Sequence, residues 1–178
     1  EALELRDDAD LGSISVSSLT ASVTVANTVT LDGDLNGSTL TIAGVSGTPV
    51  LDLTDAGTIG ALDFGDNALK VVMTAAQYSG LSTITNVTGN QVIEIQNATA
   101  SELTVTQVAG VEEYILNPEN ANGDITFTLI SGGDAVALTR DGTDAAVTVA
   151  ASDDATFTGT WSTFATGDAL LVAASKTV

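Results

Sequence analysis

The chain has 178 residues, enough for one ordinary domain or two small ones, and its 44% hydrophobic content excludes general disorder because ample apolar surface can offset chain entropy. Its 23 acidic residues stand against four basic ones, Arg6, Lys70, Arg140 and Lys176, for a net charge of -19, a field that repels nucleic acid and anionic membrane surfaces. Cysteine and histidine are both absent, which removes disulfides, thiol nucleophiles, ordinary zinc sites and imidazole acid–base chemistry.

Residues 1–12 are the most charged stretch and the only one with helix formers in succession, so they read as a short helix or an arm that caps the remainder. Residues 13–178 form a repetitive β domain. Hydrophobic residues alternate there with Thr, Ser and Asp in short bursts that restart about every ten residues, the spacing of short strands separated by turns. In chain order the bursts include Val23-Thr-Val25, Leu40-Thr-Ile42, Leu51-Asp-Leu53, Leu62-Asp-Phe64 and Leu69-Lys-Val71. A single helical turn is expected at Met73-Thr-Ala-Ala-Gln-Tyr78. Bursts then resume at Ile93-Glu-Ile95, Leu103-Thr-Val105, Ile125-Thr-Phe127-Thr-Leu129, Val136-Ala-Leu138, Val147-Thr-Val149 and Phe157. Period-two alternation makes each burst a half-buried strand. Gly, Asn and Asp close them, for example at 32–37, 65–67, 117–124, 131–134 and 141–144, because these residues turn the backbone at little cost. The 117–124 loop is the candidate sub-boundary should there be two domains.

No apolar run approaches the ~20 residues that span a bilayer, so membrane insertion is not expected. The lack of an initiating methionine and of a signal-type segment leads us to expect a processed chain or a piece of a longer one.

Two architectures yield many short, evenly spaced strands. One is a single-chain β-solenoid, a parallel β-helix-like stack; the other is one or two β-sandwich domains. The steady burst spacing, an aromatic content of only 4% and the dominance of Val, Ile, Leu, Thr and Asn favour the solenoid. Its rungs would be roughly 20 to 30 residues long, with two or three strands each.

Four phrases, Val50-Leu-Asp-Leu-Thr-Asp-Ala-Gly57, Val72-Met-Thr-Ala-Ala-Gln-Tyr78 with Ile84-Thr-Asn86, Gln91-Val-Ile-Glu-Ile95 and Gly110-Val-Glu-Glu-Tyr-Ile-Leu116, resemble the β-solenoid repeat regions of type I-secreted bacterial surface proteins, the RTX-type adhesins and S-layer proteins. The resemblance implies an acidic, Cys-free, calcium-responsive extracellular protein. The glycine-rich GGxGxD nonapeptide that binds calcium in that group does not occur; Gly132-Gly-Asp-Ala-Val136 supplies only its beginning.

Asp32-Gly-Asp34-Leu-Asn36-Gly37 matches the first half of a calcium loop, in which oxygens at alternate positions converge on one ion. Asp32, Asp34 and Asn36 are therefore the candidate metal ligands and calcium the candidate ion. The twelfth position is Ala43 in place of the bidentate Glu, so the same phrase also reads as a strand corner. Asn117, Glu119, Asn120, Asn122 and Asp124 make a second oxygen-rich loop, and Asp141, Asp144, Asp153 and Asp154 a third; both read as solvated turns or as calcium bridges between subunits. Glu112-Glu113 and Asp153-Asp154 are adjacent carboxylates, which on a strand point to opposite faces and cannot act as a catalytic pair. No catalytic residue is assigned. Thr104 with Thr106, or Thr126 with Thr128, could form an exposed ladder for a carbohydrate or ice-like ligand, although β-propensity also explains threonine there. Trp161, Tyr78 and Tyr114 are either a sugar platform or packing. Asn36, Asn86 and Asn97 begin glycosylation sequons.

The sequence is thus expected to encode a non-catalytic, prokaryotic extracellular or cell-surface structural protein. It would be a self-assembling or stalk module of a filament, S-layer or large adhesin, with other copies or flanking modules as partners. The competing expectation is a calcium-assisted module that binds a cell-surface glycan.

Overall fold

The computed structural model describes residues 2–5, 9–13, 18–23, 28–34, 38–45, 50–88, 91–99, 101–130, 136–141, 145–151, 154, 157–159 and 166–172. The strand registers among these residues are all parallel, and each strand pairs with the next but one in sequence, so two strands complete one circuit. The chain is a β-solenoid, not a sandwich. A sandwich would join successive strands antiparallel through short hairpins. Leu103 lies beside Ile125 and Ile125 beside Val147, a circuit of 22 residues, while Glu113 beside Ala137 and Thr148 beside Ala169 show that corners lengthen or shorten it.

The chain divides into two compact units, Glu1–Met73 with Gly80–Ile93, and Thr74–Ser79 with Glu94–Val178. The 117–124 loop lies inside the second of them.

In the first unit, one sheet runs β1 (Ala2–Leu5), β3 (Ser18–Val23), β5 (Ser38–Val45), β7 (Ile59–Asp63) and β9 (Thr83–Thr85). The other places β2 (Ala9–Ser13), β4 (Thr28–Asp34), β6 (Val50–Asp52) and β8 (Lys70–Thr74) side by side. Within the charged segment 1–12, expected as a short helix or a capping arm, residues 2–5 and 9–12 are strand and not helix. Leu3 faces Ala21 and Leu5 faces Val23. Parallel pairing of the two strands overrides the helical preference of Glu4. Stacked apolar columns such as Leu40 on Leu62 and Leu51 on Val71 form the interior and are fully buried. Register shifts interrupt the β2–β4, β3–β5 and β5–β7 ladders.

The turn after β7 shows why glycine is needed at one corner. Gly65 has φ 54°, and a Cβ there would lie 2.2 Å from the carbonyl oxygen of Ile42. Asn67 closes the same corner by donating Nδ2 to Ile42 O at 2.8 Å and to Phe64 O at 2.9 Å.

In the second unit, β10 (Val92–Asn97, from Glu94 on), β12 (Glu113–Pro118), β14 (Val136–Arg140) and β16 (Phe157–Gly159) form one row, and β11 (Leu103–Thr106), β13 (Ile125–Leu129), β15 (Val147–Ala151) and β17 (Ala169–Val172) the other. The ladders from β11 to β17 carry no register shift. Val105, Phe127 and Val149 stack as one buried column, and Ile125 on Val147 as another.

The helix α1 (Ala75–Gly80) sits where one helical turn is expected. A reciprocal cap starts it: Gln77 Oε1 accepts the Thr74 N–H at 2.8 Å, and Thr74 Oγ1 accepts the Gln77 N–H at 3.1 Å. Ala75 and Tyr78, three apart on one face, are its buried residues.

One interior position of the second unit holds a charge. Arg140 stands beside Leu116 in register and is buried, as alternation from Val136 and Leu138 requires. Its Nη1 meets Asp168 Oδ2 at 2.6 Å, and its Nη2 donates to Ala145 O. Asp168 Oδ1 also accepts the Val147 N–H at 2.7 Å. This network neutralises the buried cation, while the Nε proton has no hydrogen-bond partner.

Candidate functional site

Among the described residues, several polar side chains at the corners are consumed in holding them. Asp52 Oδ1 accepts both the N–H and the hydroxyl of Thr54, at 2.9 and 2.7 Å. Asn97 does the same for Thr99, at 3.1 and 2.6 Å. Asp63 Oδ1 takes the Gly65 N–H at 2.9 Å, and Asn120 Oδ1 takes the Asn122 N–H at 3.1 Å. Asp and Asn satisfy otherwise open backbone donors in this way, which is why they recur at the turns.

Asp32 is exposed on β4, and its Oδ1 accepts the N–H of Gly33 at 2.6 Å. Asn36 and the side chain of Asp34 lie outside the described residues. In the second loop, Asn117 Nδ2 donates to Glu94 Oε1 at 3.3 Å and to Glu119 Oε1 at 3.4 Å. Asp124 Oδ1 accepts the N–H of Ala146 at 2.9 Å, a tie between successive circuits. Of the third loop, Asp141 and Asp154 are exposed, and Asp144 and Asp153 lie outside the described residues. Among the described residues no three carboxylates converge as a metal cluster would require. Glu113 accepts the Thr139 hydroxyl at 2.6 Å, and Glu112 is exposed beside it.

Tyr78 and Tyr114 are interior residues. Their rings meet edge to face at 6.1 Å and their hydroxyls at 3.0 Å. Tyr78 donates to Thr106 O at 2.6 Å, and Tyr114 accepts the N–H of Val108 at 2.9 Å. A carbonyl can only accept, so the proton between the two hydroxyls is the Tyr114 proton, donated to Tyr78. Burial pushes the Tyr78 hydroxyl well above its usual range, reinforced by the neighbouring Tyr114, and burial pushes Tyr114 up to about 12. Trp161 lies outside the described residues. Of the sequon asparagines, Asn97 is 1% exposed with its amide donating to Ser101 O and Asp124 O, which withdraws it from modification in the folded chain. Asn86 is exposed, and its amide donates to Asp63 Oδ1 at 2.7 Å. Asn36 lies outside the described residues.

The threonines are where the structure gathers sequence candidates into a surface. Thr104 faces Thr126 and Thr106 faces Thr128, so the two candidate pairs are one ladder. Thr148 follows Thr126 in register and adds a fifth member. Neighbouring strands place these side chains about 4.8 Å apart, and alternate residues along a strand place them about 6.7 Å apart. Thr148 was hidden because its burst, Val147-Thr-Val149, holds only one threonine; the 22-residue recurrence Thr104, Thr126, Thr148 is the signal that finds it. In the first unit the corresponding columns, Thr41-Asp63-Thr85 and Thr39-Ala61-Thr83, are interrupted.

No helix among the described residues is long and apolar enough to cross a membrane. Comparison with protein-family models, with curated proteins and with solved structures returned no match.

Proposed function

We propose that the chain is a non-catalytic structural module of an extracellular prokaryotic assembly, extended by strand addition to the open edge of its stack. The observation that carries this reading is on β17. Leu170 occupies the register position of Val149, which is 0% exposed, yet Leu170 is 38% exposed; Leu171 and Val172 beside it are 57% and 40% exposed. β17 also lies at the edge of its sheet. An apolar edge strand presents both unpaired backbone groups and uncovered side chains, and a further strand satisfies both at once. Another copy or a flanking module would supply that strand. The net charge of -19 keeps separate copies soluble, and calcium at the acidic corners would damp repulsion once they meet. The acidic, cysteine-free composition matches the type I-secreted surface proteins that the chain resembles, which supports the extracellular placement.

Sedimentation velocity across a concentration series, with calcium and with chelator, tests the reading. Mass should grow with concentration; a monomer throughout would exclude self-assembly. The competing module that binds a cell-surface glycan draws its support from the threonine face, and saturable retention on a glycan array is its signature.

A further inference from the structure

The face of β11, β13 and β15 combines three properties not needed for folding. Its two outward rows carry Thr104, Thr126 and Thr148 in one and Thr106, Thr128 and Ala150 in the other, without a charged residue in a chain whose net charge is -19. The ladders beneath are unbroken, whereas those of the first unit shift register. Four hydroxyls of this face, those of Thr104, Thr106, Thr128 and Thr148, have no hydrogen-bond partner among the described residues. At the corners and on β14, by contrast, threonine hydroxyls are spent internally: Thr54 on Asp52, Thr99 on Asn97 and Thr139 on Glu113. The fifth, Thr126, donates to Glu102 at the margin of the array at 2.7 Å and keeps its lone pairs.

We propose that this face binds the ordered water lattice of an ice surface. A single threonine exchanging one water contact for another gains almost nothing, because the bonds broken and formed are alike. A ligand that already holds its oxygens on a rigid grid changes that balance: it has no ordering entropy left to lose, and every rank of the array engages together. The protein side is equally stiff, since β-branched side chains hold few rotamers and the parallel register repeats their orientation from strand to strand. Each threonine offers one hydroxyl to anchor a water and one methyl that stands between anchors. A soluble sugar is the weaker fit, because Tyr78, Tyr114 and Phe127 are turned inward, and among the described residues no ring lies on the face for a pyranose to stack on. The inference does not rest on the assembly reading: a monomer would bind ice equally.

The test is partition of the purified full chain into slowly growing ice, beside an unrelated soluble protein of similar charge. The wild type should be enriched in the ice fraction. Thr128→Tyr at the centre of the array, and Thr106→Tyr at its exposed margin, should each fall to the level of the unrelated protein, while Thr139→Tyr on β14 keeps the wild-type enrichment. Tyrosine suits strands, and the melting curve of each variant reports its fold. Exclusion of the wild type from ice overturns the inference, as does equal enrichment of all three variants. Retention on an insoluble polysaccharide that Thr128→Tyr abolishes, with the wild type excluded from ice, overturns it in favour of a glycan.

Discussion

Tyr114 gives its phenolic proton to Tyr78 across 3.0 Å, and Tyr78 passes its own to the carbonyl of Thr106, so one directed chain of hydrogen bonds ties helix α1 to the end of strand β11. These are the two tyrosines of the chain, and burial raises both. Their unfolded hydroxyls ionise near pH 10, so the stability they lend is complete below that value and is lost as pH rises toward and through about 12, where Tyr114 ionises in the folded state. Between those values unfolding should become easier by on the order of 1 kcal/mol per pH unit for each tyrosine. Tyrosinate absorbance should stay flat to beyond pH 10 in the native chain and rise at the ordinary pH in urea; a native rise at the ordinary pH would contradict the burial argument. Tyr114→Phe strands the Val108 N–H and should cost about 1–3 kcal/mol.

The Arg140–Asp168 pair makes a second prediction. Asp168→Ala leaves a buried guanidinium without its counter-ion and should destabilise the chain by about 3–5 kcal/mol in urea unfolding. The double change Arg140→Met with Asp168→Ala should recover much of that loss, because the charge that needed a partner is gone. Equal losses in the single and double variants would show that Asp168 acts chiefly through the Val147 N–H.

Glycine positions should separate sharply. Gly65→Ala meets Ile42 O at 2.2 Å from a backbone with φ 54°, and Gly123→Ala meets Thr99 O at 2.6 Å and Asn97 O at 2.8 Å. The left-handed backbone alone costs about 1–3 kcal/mol at Gly65, before the clash is counted. Gly80→Ala finds nothing within 4 Å and should shift stability by no more than about 0.5 kcal/mol. Thermal melts of the three variants test the order.

A charge on the open edge should oppose association without disturbing the fold. Leu171→Lys alters the most exposed of the large apolar side chains on β17. It should raise the concentration at which mass begins to grow in sedimentation while leaving the melting temperature near that of the wild type. Unchanged association would move the contact away from β17.

How much of this could be read from residues alone depends on range. Alternation in Ile125-Thr-Phe127-Thr-Leu129 states which side chains point inward, and the structure agrees at all five positions. Thr74 and Gln77, three apart, carry the helix signal locally. The circuit length was legible only as a range, since corners differ in length and nothing local states which strand lies beside which. What hung on that length stayed hidden. Arg140 sends opposite signals, an inward position by alternation and an outward one by charge, and its partner is 28 residues away across the ladder. The first strands were obscured because glutamate between Leu3 and Leu5 mimics a helix until Ala21 and Val23 are placed beside them. Of the candidate calcium loop, Asp32 sits on a strand with its Oδ1 accepting the Gly33 N–H, and Asn36 and the side chain of Asp34 lie outside the described residues.

The 22-residue circuit shared by β11–β13 and β13–β15 also fixes how such a chain can change length. Excising residues 126–147 would splice Ile125 to Thr148, two positions that already follow one another in kind, and every side chain downstream would keep its orientation. Losing one residue more or fewer would turn the rest of that strand inside out. Duplication of a whole circuit adds another tier without redesign, whereas any other length must be absorbed at a corner, as it is between β12 and β14 and between β15 and β17.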